Sequence, residues 1–486
     1  MIKRWGWPIG ILAGALALRL ILFTGIQGND DRYYYASGLR LARGERPEVR
    51  DLFDTRVGYS APVAVLFRLF GPRESCLILP TLAASLALVA LAYAWGRRRF
   101  SEQVGRGAAL MVALTPMDVF YATAAFTDQV IAAWLGFGAL LLDKSREKGL
   151  PLAVAAGLCF GAAYLAKESA LALLAPVLLL FARKEGWKPV AVALAVFAAV
   201  IIAEGAVYAV KEHDFLYRFH LAHKYQSEPR DAGDGFLKRL FAIPSLCLNP
   251  LDPNFPYSGG LFAFSAAGAA WAFWKDRLRS GGLAIWWLGS GLLLALSPLT
   301  LFPYTPALEL QPRMFAVMVL PGAVLASAVL LEWVRPWKPR LTAIAAAGAA
   351  LLALLCSARL HQDGYRWRSG PAWACSRLDG FPGSTVVTDP RSAVMLRILS
   401  RDSASWSIVP FRAGDPPPAP GTLLLECDNQ ERTALRWDGA SPPTWWRSES
   451  PPRETVAELV LEGPRSLRGS RTAPTATRLR RIYSPR

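Results

Sequence analysis

The chain has 486 residues, 53% of them hydrophobic, and a formal net charge of +17. Its apolar residues fall into blocks that reach membrane length, which excludes a simple set of soluble domains. Basic residues are spread along the whole chain rather than gathered on one soluble part, which argues against nucleic acid as a partner.

The first apolar block, about residues 5–26, is long enough to cross a bilayer. No signal-peptide cleavage pattern follows it, so we expect a retained span. Further blocks follow at 74–95, 107–124, 126–142, 150–166, 169–182, 188–210, 259–274, 281–302, 314–334 and 340–358. The sequence therefore predicts a polytopic α-helical membrane protein with about eleven transmembrane helices.

Short connections rich in Lys and Arg alternate with connections that carry one basic residue or none. The basic ones are 97–106, 143–149, 182–188, 274–280 and 332–340. Because basic loops stay in the cytoplasm, this pattern predicts a cytoplasmic N-terminus in the plasma or bacterial inner membrane. It also predicts that 27–73, 211–258 and the residues after about 359 lie on the outer face.

The C-terminal part has a different pattern. Short strands are predicted at 384–389, 405–411, 421–427 and 456–463, with a helix at 390–402. We therefore predict a transmembrane domain over 1–359 and a small soluble extracytoplasmic α/β domain over 360–486. This domain carries no motif that indicates chemistry, so we expect it to cap or contact an acceptor.

Two adjacent carboxylates, Asp30 and Asp31, follow the first span in GNDDRYYYASGLRLARG. Charges at a membrane boundary are costly to desolvate unless they have a partner or a function. A solvated loop or a helix N-cap is the simpler interpretation, since Asp favours both. The neighbouring Tyr33 and Tyr34 fit an aromatic belt at the membrane surface or a platform for a sugar ring.

Other charged and aromatic residues are predicted at the outer ends of the spans. A carboxylate there can take a proton from an acceptor, and fixed cations can hold a phosphate. Taken singly, Lys167 and Arg313 fit snorkelling to head groups, and Glu168 fits pairing with Lys167. The candidate site residues predicted from their joint position are Asp30, Asp31, Tyr33, Tyr34, Arg56, Tyr59, Tyr121, Asp128, Lys167, Glu168 and Arg313.

Cysteines and histidines give weaker signals. Cys247, Cys375 and Cys427 are predicted outside the membrane, so one disulfide can form there, but their spacing does not select a pair. His220 and His223 have the spacing of two metal ligands, but no third ligand is obvious, which favours an exposed helical face.

Four motifs in order resemble the GT-C superfamily of polytopic glycosyltransferases, in the branch of protein O-mannosyltransferases and lipid A aminoarabinose transferases. The first is Asp30-Asp31 with Tyr33 and Gly44, where Asp31 replaces the commoner Glu. The others are Pro116, Phe120, Tyr121, Thr127 and Asp128; Gly157 through Lys167-Glu168; and Gln311-Pro312-Arg313-Met314, which departs from the commoner Arg-Tyr.

The resemblance implies an enzyme that transfers a sugar from a polyprenyl-phosphate donor to an extracytoplasmic glycan, lipid or protein. It implies Asp30 as the general base, with inversion at the anomeric carbon, and Asp128 as a residue that orients the acceptor or a cation. Lys167 and Arg313 would face the donor phosphate, and Arg56 and Tyr59 would line the cavity. Most members of this branch lack a required catalytic metal, so the resemblance implies none here, although Asp30, Asp31 and Asp128 are residue types that can hold a divalent cation.

Two other functional classes remain open from the residues alone. A lipid or sugar transporter, or flippase, predicts charges near the bilayer midplane and an inverted repeat, and neither is evident in the sequence. A membrane scaffold that binds partners through its C-terminal domain leaves the acidic pair unexplained.

Overall fold

The computed structural model describes most of the chain. The described residues are 2–45, 49, 51–181, 187–227, 236–249, 252, 254–275, 281–296, 298–300, 305–306, 311–400, 406–412, 415–427, 442–443, 446, 453–461 and 475–482. Parts of the predicted basic connections 182–188 and 274–280, and of the predicted outer segment 211–258, lie outside these residues.

Helices form most of the described structure. Short 3₁₀ segments cover Leu52–Thr55 and Pro312–Phe315, and a π-helical segment covers Val329–Val334. The helices are α1 (Ile2–Ile21), α2 (Asp30–Ala42), α3 (Val57–Phe70), α4 (Glu74–Arg99), α5 (Glu102–Leu114), α6 (Pro116–Tyr121), α7 (Asp128–Lys148), α8 (Leu150–Ala166), α9 (Ala170–Leu179), α10 (Trp187–Glu212), α11 (Tyr217–Ser227), α12 (Phe236–Leu240), α13 (Ala242–Leu248), α14 (Phe255–Ser258), α15 (Leu261–Lys275), α16 (Gly281–Leu296), α17 (Ala316–Ala328), α18 (Arg335–Trp337), α19 (Pro339–Leu378) and α20 (Pro390–Leu399).

Several of these helices match the predicted membrane blocks in length and composition. Among the described residues, α4, α10, the segment Pro312–Val334 and α19 are long and apolar enough to cross a membrane. Shorter apolar helices occupy Gly6–Ile21, Val57–Phe70, Leu150–Ala166, Ala170–Leu179 and Gly281–Leu296. These helices support a membrane location, and the predicted number of about eleven spans is matched in part.

Three predicted blocks differ from the observed helices. The block 107–124 is divided between α5 and α6, because Pro116 begins α6 and the residue before a proline is driven out of the helical region. The block 281–302 ends as a helix at Leu296 and continues into a short strand. The last block continues as one helix to Leu378, well into the region predicted to be a soluble domain.

Seven strands complete the described structure. They are β1 (Pro298–Thr300), β2 (Thr305–Pro306), β3 (Thr385–Thr388), β4 (Ser407–Pro410), β5 (Leu423–Cys427), β6 (Arg453–Leu461) and β7 (Thr475–Ile482).

The last five strands form one sheet in the order β4-β3-β5-β7-β6. β3 runs parallel to both β4 and β5, and α20 forms the crossover from β3 to β4. Leu423, Leu425 and Leu479 bury one face of the sheet against Leu396 of α20 and Leu378 of α19. This mixed α/β arrangement agrees with the predicted strands and helix, but β7 was not predicted.

The sequence did not predict β7, because arginines dominate its segment, TATRLRRI. In the sheet the two apolar residues beside these arginines, Leu479 and Ile482, are buried in separate clusters of the core. Arg478 pairs with Glu458 of β6, and Arg480 pairs with Glu426 of β5. Cross-strand ion pairs therefore stabilise a strand whose own composition does not favour strand formation.

The chain divides into two compact units. One contains Met1–Phe23, Glu48–Ala61 and Pro80–Leu360, and the other contains Thr24–Pro47, Pro62–Leu79 and His361–Arg486. The segment after the first span thus belongs to the same unit as the C-terminal sheet. The domain boundary at residue 360 stays a prediction.

Cys375 and Cys427 are free thiols, so neither forms the disulfide considered from the sequence. The side chain of Cys247 lies outside the described residues.

One buried ion pair ties the first unit together. Arg19, at the end of α1, pairs with Asp118 of α6, and both side chains are almost fully buried. The Arg19 guanidinium also donates to Ser85 Oγ of α4 at 2.6 Å and to the Ala113 carbonyl of α5 at 3.2 Å. This network satisfies a charge that an apolar helix does not otherwise tolerate.

The two ends of α7 carry different charges. Asp128 lies in its first turn, and Asp143, near its other end, pairs with Arg98 and Arg99 of α4. With 21 residues the helix is about 30 Å long, close to the thickness of the hydrocarbon core. Two of the predicted basic connections, 97–106 and 143–149, therefore meet at the opposite end of this helix from Asp128.

We predict that Asp118→Ala lowers the free energy of unfolding by about 3–5 kcal/mol, because it leaves the Arg19 charge buried without its carboxylate. The measurement is thermal unfolding of the purified protein in detergent. The double variant Arg19→Met/Asp118→Leu removes both charges and is expected to recover most of the loss. A single variant as stable as the wild type would contradict this account.

Candidate active site

Asp128 and Lys167 form a buried ion pair where two helices meet. Asp128 begins α7, while Lys167 follows α8 in an extended conformation that ends the helix. Lys167 Nζ donates to Asp128 Oδ1 at 2.8 Å. Because both residues are more than nine-tenths buried, either charge would be costly to bury without an oppositely charged neighbour.

Arg313 approaches the other oxygen of the same carboxylate. It lies on the 3₁₀ segment Pro312–Phe315, and its Nε is 3.8 Å from Asp128 Oδ2. Its guanidinium lies 4.2 Å from the centroid of the Phe126 ring, a cation–π contact. Tyr121 packs edge-on against Phe126 and stacks on Tyr257. The predicted residues Tyr121, Asp128, Lys167 and Arg313 are thus neighbours.

Arg56 and Glu168 form a second pair beside the first. The Arg56 guanidinium donates to both oxygens of the Glu168 carboxylate, at 2.8 and 3.2 Å. Gly58 permits this approach, because a Cβ there would lie 2.5 Å from the backbone nitrogen of Ala166. Burial raises the pKa of the Glu168 carboxyl, but Arg56, with Arg218 and Lys167, lowers it to about 2.

The sequence interpretation that Glu168 pairs with Lys167 is therefore wrong. Glu168 takes Arg56 as its hydrogen-bonded partner, and Lys167 takes Asp128. Lys167 is extended, whereas Glu168 lies in the turn that leads into α9. The two side chains consequently reach different neighbours.

Arg218 and Glu204 were not predicted, yet they extend the same network. Arg218 Nη1 donates to Glu204 Oε1 at 2.8 Å, and its Nη2 donates to the Tyr164 carbonyl and lies 3.7 Å from Glu168 Oε2. Glu204 is a carboxylate inside the apolar helix α10, and an isolated charge in such a segment could have identified it as a candidate site residue from the sequence. We call the set Arg56, Asp128, Lys167, Glu168, Glu204, Arg218 and Arg313 the ion-pair cluster.

A small cavity adjoins the ion-pair cluster. Its volume is about 20 Å³, and Asp128, Lys167, Glu168 and Ser169 line its polar side. This volume suits a single water molecule. Leu173, Leu294 and Val317 close its apolar side.

Tyr59 has a supporting position. Its side chain is fully buried, and its hydroxyl lies 2.9 Å from Thr81 Oγ1. Thr81 in turn donates to the Phe126 carbonyl at 3.3 Å. Tyr59 thus supports the backbone of Phe126, whose ring contacts Arg313, rather than presenting its own ring on an open surface.

Asp30, Asp31, Tyr33 and Tyr34 belong to the second unit. Asp31 is 2% exposed, and its carboxylate accepts from the backbone nitrogens of Gln27, Gly28 and Arg32. Burial raises the pKa of Asp31, and these backbone bonds oppose that rise. Asp30, the first residue of α2, is only half-buried. Tyr34 is fully buried, whereas Tyr33 is half-buried and bonded through its hydroxyl to Arg32.

Two of the three carboxylates considered for a divalent cation, Asp31 and Asp128, are engaged by other groups. Asp128 is engaged by Lys167 and Arg313, which would repel a cation, and Asp31 is engaged by backbone N–H groups. His220 is exposed and bonds to Asp214. In the part of the chain that the structure describes, no three His, Cys, Asp or Glu side chains are grouped as metal ligands.

Residues 58–208 match a family model described as dolichyl-phosphate-mannose-protein mannosyltransferase. This segment contains Tyr59, Tyr121, Asp128, Lys167 and Glu168 of the predicted site. No curated protein matches the sequence.

Solved structures match the fold over nearly the whole chain. ArnT from Cupriavidus metallidurans bound to undecaprenyl phosphate aligns with a TM-score of 0.63 and 13% identity, covering 99% of this chain and 100% of that one. An oligosaccharyltransferase from Archaeoglobus fulgidus with zinc and sulfate aligns with a TM-score of 0.51 and 16% identity, covering 82% and 62%.

The same archaeal protein, AglB, in complex with an inhibitory peptide and a dolichol-phosphate, aligns with a TM-score of 0.51 and 15% identity, covering 84% and 64%. Both proteins are GT-C glycosyltransferases. The predicted resemblance is therefore confirmed, and the chain has the GT-C fold.

We predict that Glu168→Gln reduces the loss of stability between about pH 5 and pH 2. A carboxyl whose pKa is lowered on folding stabilises the folded state above its unfolded pKa, and this contribution disappears as the pH falls through the folded value. With a folded pKa of about 2, Glu168 contributes about 3 kcal/mol that is lost across this window. Thermal unfolding in detergent at several pH values measures the difference.

Glu147→Gln is the matched control, because Glu147 is an exposed carboxylate paired with Arg98 at the other end of α7. Arg98 lowers the pKa of Glu147, but a solvent-exposed pair contributes little stability, so this variant should change the pH dependence far less than Glu168→Gln. If Glu168→Gln loses stability on acidification in parallel with the wild type, the assignment of this linkage to Glu168 is wrong.

Proposed function

We propose that the protein is a membrane glycosyltransferase that moves a sugar from a polyprenyl-phosphate donor to an extracytoplasmic acceptor. The observation that carries the proposal is the buried ion-pair cluster in a chain with the GT-C fold. The match of residues 58–208 to a mannosyltransferase family model supports it, as does the fold likeness to a protein bound to undecaprenyl phosphate. The sugar is a hexose or pentose, and the acceptor is a glycan, a lipid or a protein.

The charges of the cluster suit a phosphate. The ion-pair cluster contains four cations and three carboxylates, so among these described residues the cations exceed the carboxylates by one. The cations are Arg56, Lys167, Arg218 and Arg313, and the carboxylates are Asp128, Glu168 and Glu204. Lys167 has three N–H donors, and its bond to Asp128 uses one of them. A buried, prearranged set of cations stabilises charge on a leaving phosphate without reorganisation at the moment of reaction.

The chemistry is a single displacement. The acceptor oxygen or nitrogen forms a bond to the anomeric carbon as the bond from that carbon to the phosphate oxygen breaks. The lipid phosphate leaves with the electron pair, and the acceptor proton passes to a carboxylate base. One displacement inverts the anomeric centre. A phosphate needs little help from a general acid, so one base suffices.

Asp30 is the base in this proposal, and Asp31 supports it. Asp31 uses its carboxylate to hold the backbone before α2, which occupies both of its oxygens. Asp30 begins the helix and keeps a partly exposed side chain. The more accessible carboxylate is the one that suits proton transfer to an incoming group.

The proposed orientation places Asp128, Lys167 and Arg313 at the outer face of the membrane. The basic residues Arg98 and Arg99 at the other end of α7 then face the cytoplasm, in keeping with the positive-inside pattern. The N-terminus is cytoplasmic, and the sheet formed by β3–β7 is extracytoplasmic. Donor and acceptor both meet the protein outside the cytoplasm.

We predict that Asp30→Asn abolishes sugar transfer and leaves the protein folded, since the amide cannot accept the proton. The assay uses membrane vesicles with radiolabelled undecaprenyl-phosphate-linked mannose or aminoarabinose and measures label that leaves the lipid. Unfolding in detergent checks that the fold is intact. Full activity of the Asp30→Asn protein would exclude Asp30 as the base.

We predict that Lys167→Ala raises the donor KM or lowers kcat by about tenfold or more, because it removes a cation from the phosphate. Lys148→Ala is the control, since Lys148 is an exposed cation at the opposite end of α7. It should keep wild-type kinetics. If Lys167→Ala also keeps wild-type donor kinetics, Lys167 serves only the ion pair with Asp128.

A further inference from the structure

The residues before Asp30 form a tight turn that other parts of the second unit hold in place. We call residues 24–31 the acidic turn. Gly25 and Gly28 both adopt positive φ, at +73° and +74°, where side chains are disfavoured. The Asp31 carboxylate accepts from the Gln27 and Gly28 nitrogens, which closes the turn from inside.

The first external tie runs through Glu74, at the start of α4. Its Oε1 accepts from the Ile26 nitrogen of the acidic turn at 3.0 Å. The same carboxylate also accepts from Nε and Nη2 of Arg368, on α19, at 2.8 and 2.7 Å. A Cβ on Gly25 would clash with Glu74 and Arg368. Arg368 thus fixes the carboxylate that fixes the turn.

The second tie comes from the mixed α/β region. Arg391, in the first turn of α20, donates through Nη1 to Asn29 Oδ1 of the acidic turn. Its own backbone is fixed by Asp389 Oδ1, which caps α20 by accepting from the Arg391 and Ser392 nitrogens at 2.9 Å. The Arg391 side chain is 5% exposed, so it has little freedom.

Asn29 shows that this tie has a cost. It is the N-cap residue of α2, a position where an Asn side chain ordinarily accepts from the backbone of its own helix. Here its side chain makes no capping bond, and its oxygen accepts from Arg391 across 362 residues of sequence. The local stabilisation is given up for a long-range contact next to Asp30.

We propose that Arg391 and Arg368 are positioning residues for Asp30, and that the region after α19 is a working part of the catalytic centre rather than only a cap over the acceptor. This inference rests on the proposed function of Asp30 as the base. A base is effective only when its geometry is fixed to a fraction of an ångström. Arg368 holds Ile26 through Glu74, and Arg391 holds Asn29, the residue immediately before Asp30.

Hydrogen–deuterium exchange of the full-length protein in detergent tests the ties without any substrate. Arg391→Ala should speed exchange in peptides covering 24–31 by about tenfold, because the turn loses a buried hydrogen bond. Arg397→Ala is the matched control, since Arg397 lies on the same helix α20 but is exposed. It should leave exchange in 24–31 unchanged.

Kinetics with undecaprenyl-phosphate-linked mannose or aminoarabinose then separate positioning from general damage. Arg391→Ala should lower kcat by about 10- to 100-fold with an unchanged donor KM, whereas a globally damaged protein would lose active molecules and thermal stability together. Glu74→Gln is a second variant, since it keeps an acceptor for the Ile26 nitrogen but weakens the pairing with Arg368. It should also lower kcat.

The two proposals fail in different ways. Wild-type exchange and wild-type kcat in Arg391→Ala, together with an inactive Asp30→Asn, would overturn the positioning role and leave the glycosyltransferase proposal standing. Faster exchange in Arg391→Ala with a fully active Asp30→Asn would overturn Asp30 as the base and show that the ties serve only the fold.

Discussion

The structure depends on pairing charges that are buried among apolar helices. Asp128 with Lys167, Arg56 with Glu168 and Arg218 with Glu204 each combine groups that are costly to bury alone. The pairs share partners, because Arg218 also approaches Glu168 and Arg313 also approaches Asp128. The start of α7, the end of α8, the interior of α10, the start of α11 and the 3₁₀ turn at Arg313 are therefore fixed by electrostatics as much as by packing.

Because the ion pairs share partners, the ion-pair cluster is suited to stabilising an anion. A cation held beside a carboxylate is oriented in advance, so it stabilises an arriving anion with little further loss of entropy. Glu168 illustrates the arrangement, since the surrounding arginines and lysine lower its pKa to about 2 and keep it charged. The charges of the ion-pair cluster consequently hold fixed positions. The acidic turn of the second unit is held by a separate set of hydrogen bonds to Glu74 and Arg391.

The candidate site was predictable where its residues stand at the ends of apolar blocks. Lys167, Glu168 and Asp128 interrupt or begin such blocks, and the local pattern marks them. The pairing within the cluster was not predictable, because Arg56 and Glu168 are 112 residues apart in the sequence. Arg218 lies in the predicted outer segment 211–258, where no sequence motif marked a site residue. Tyr59 and Tyr34 were expected to face a substrate, but both are fully buried, since only packing decides which aromatic ring is covered.

The sequence by itself determined the class of the protein. Apolar blocks of membrane length and alternating basic connections indicated a polytopic helical membrane protein, because hydrophobic length and charge bias act locally and can be read residue by residue. The four motifs in order carried the resemblance to the GT-C superfamily. Only the tertiary structure decided the pairing of the charges, the burial of Asp31 and the tie from Arg391 to Asn29. These features join residues that are far apart in the chain. They form only on folding, because a charge that is removed from water is stable only beside an oppositely charged or hydrogen-bonding partner.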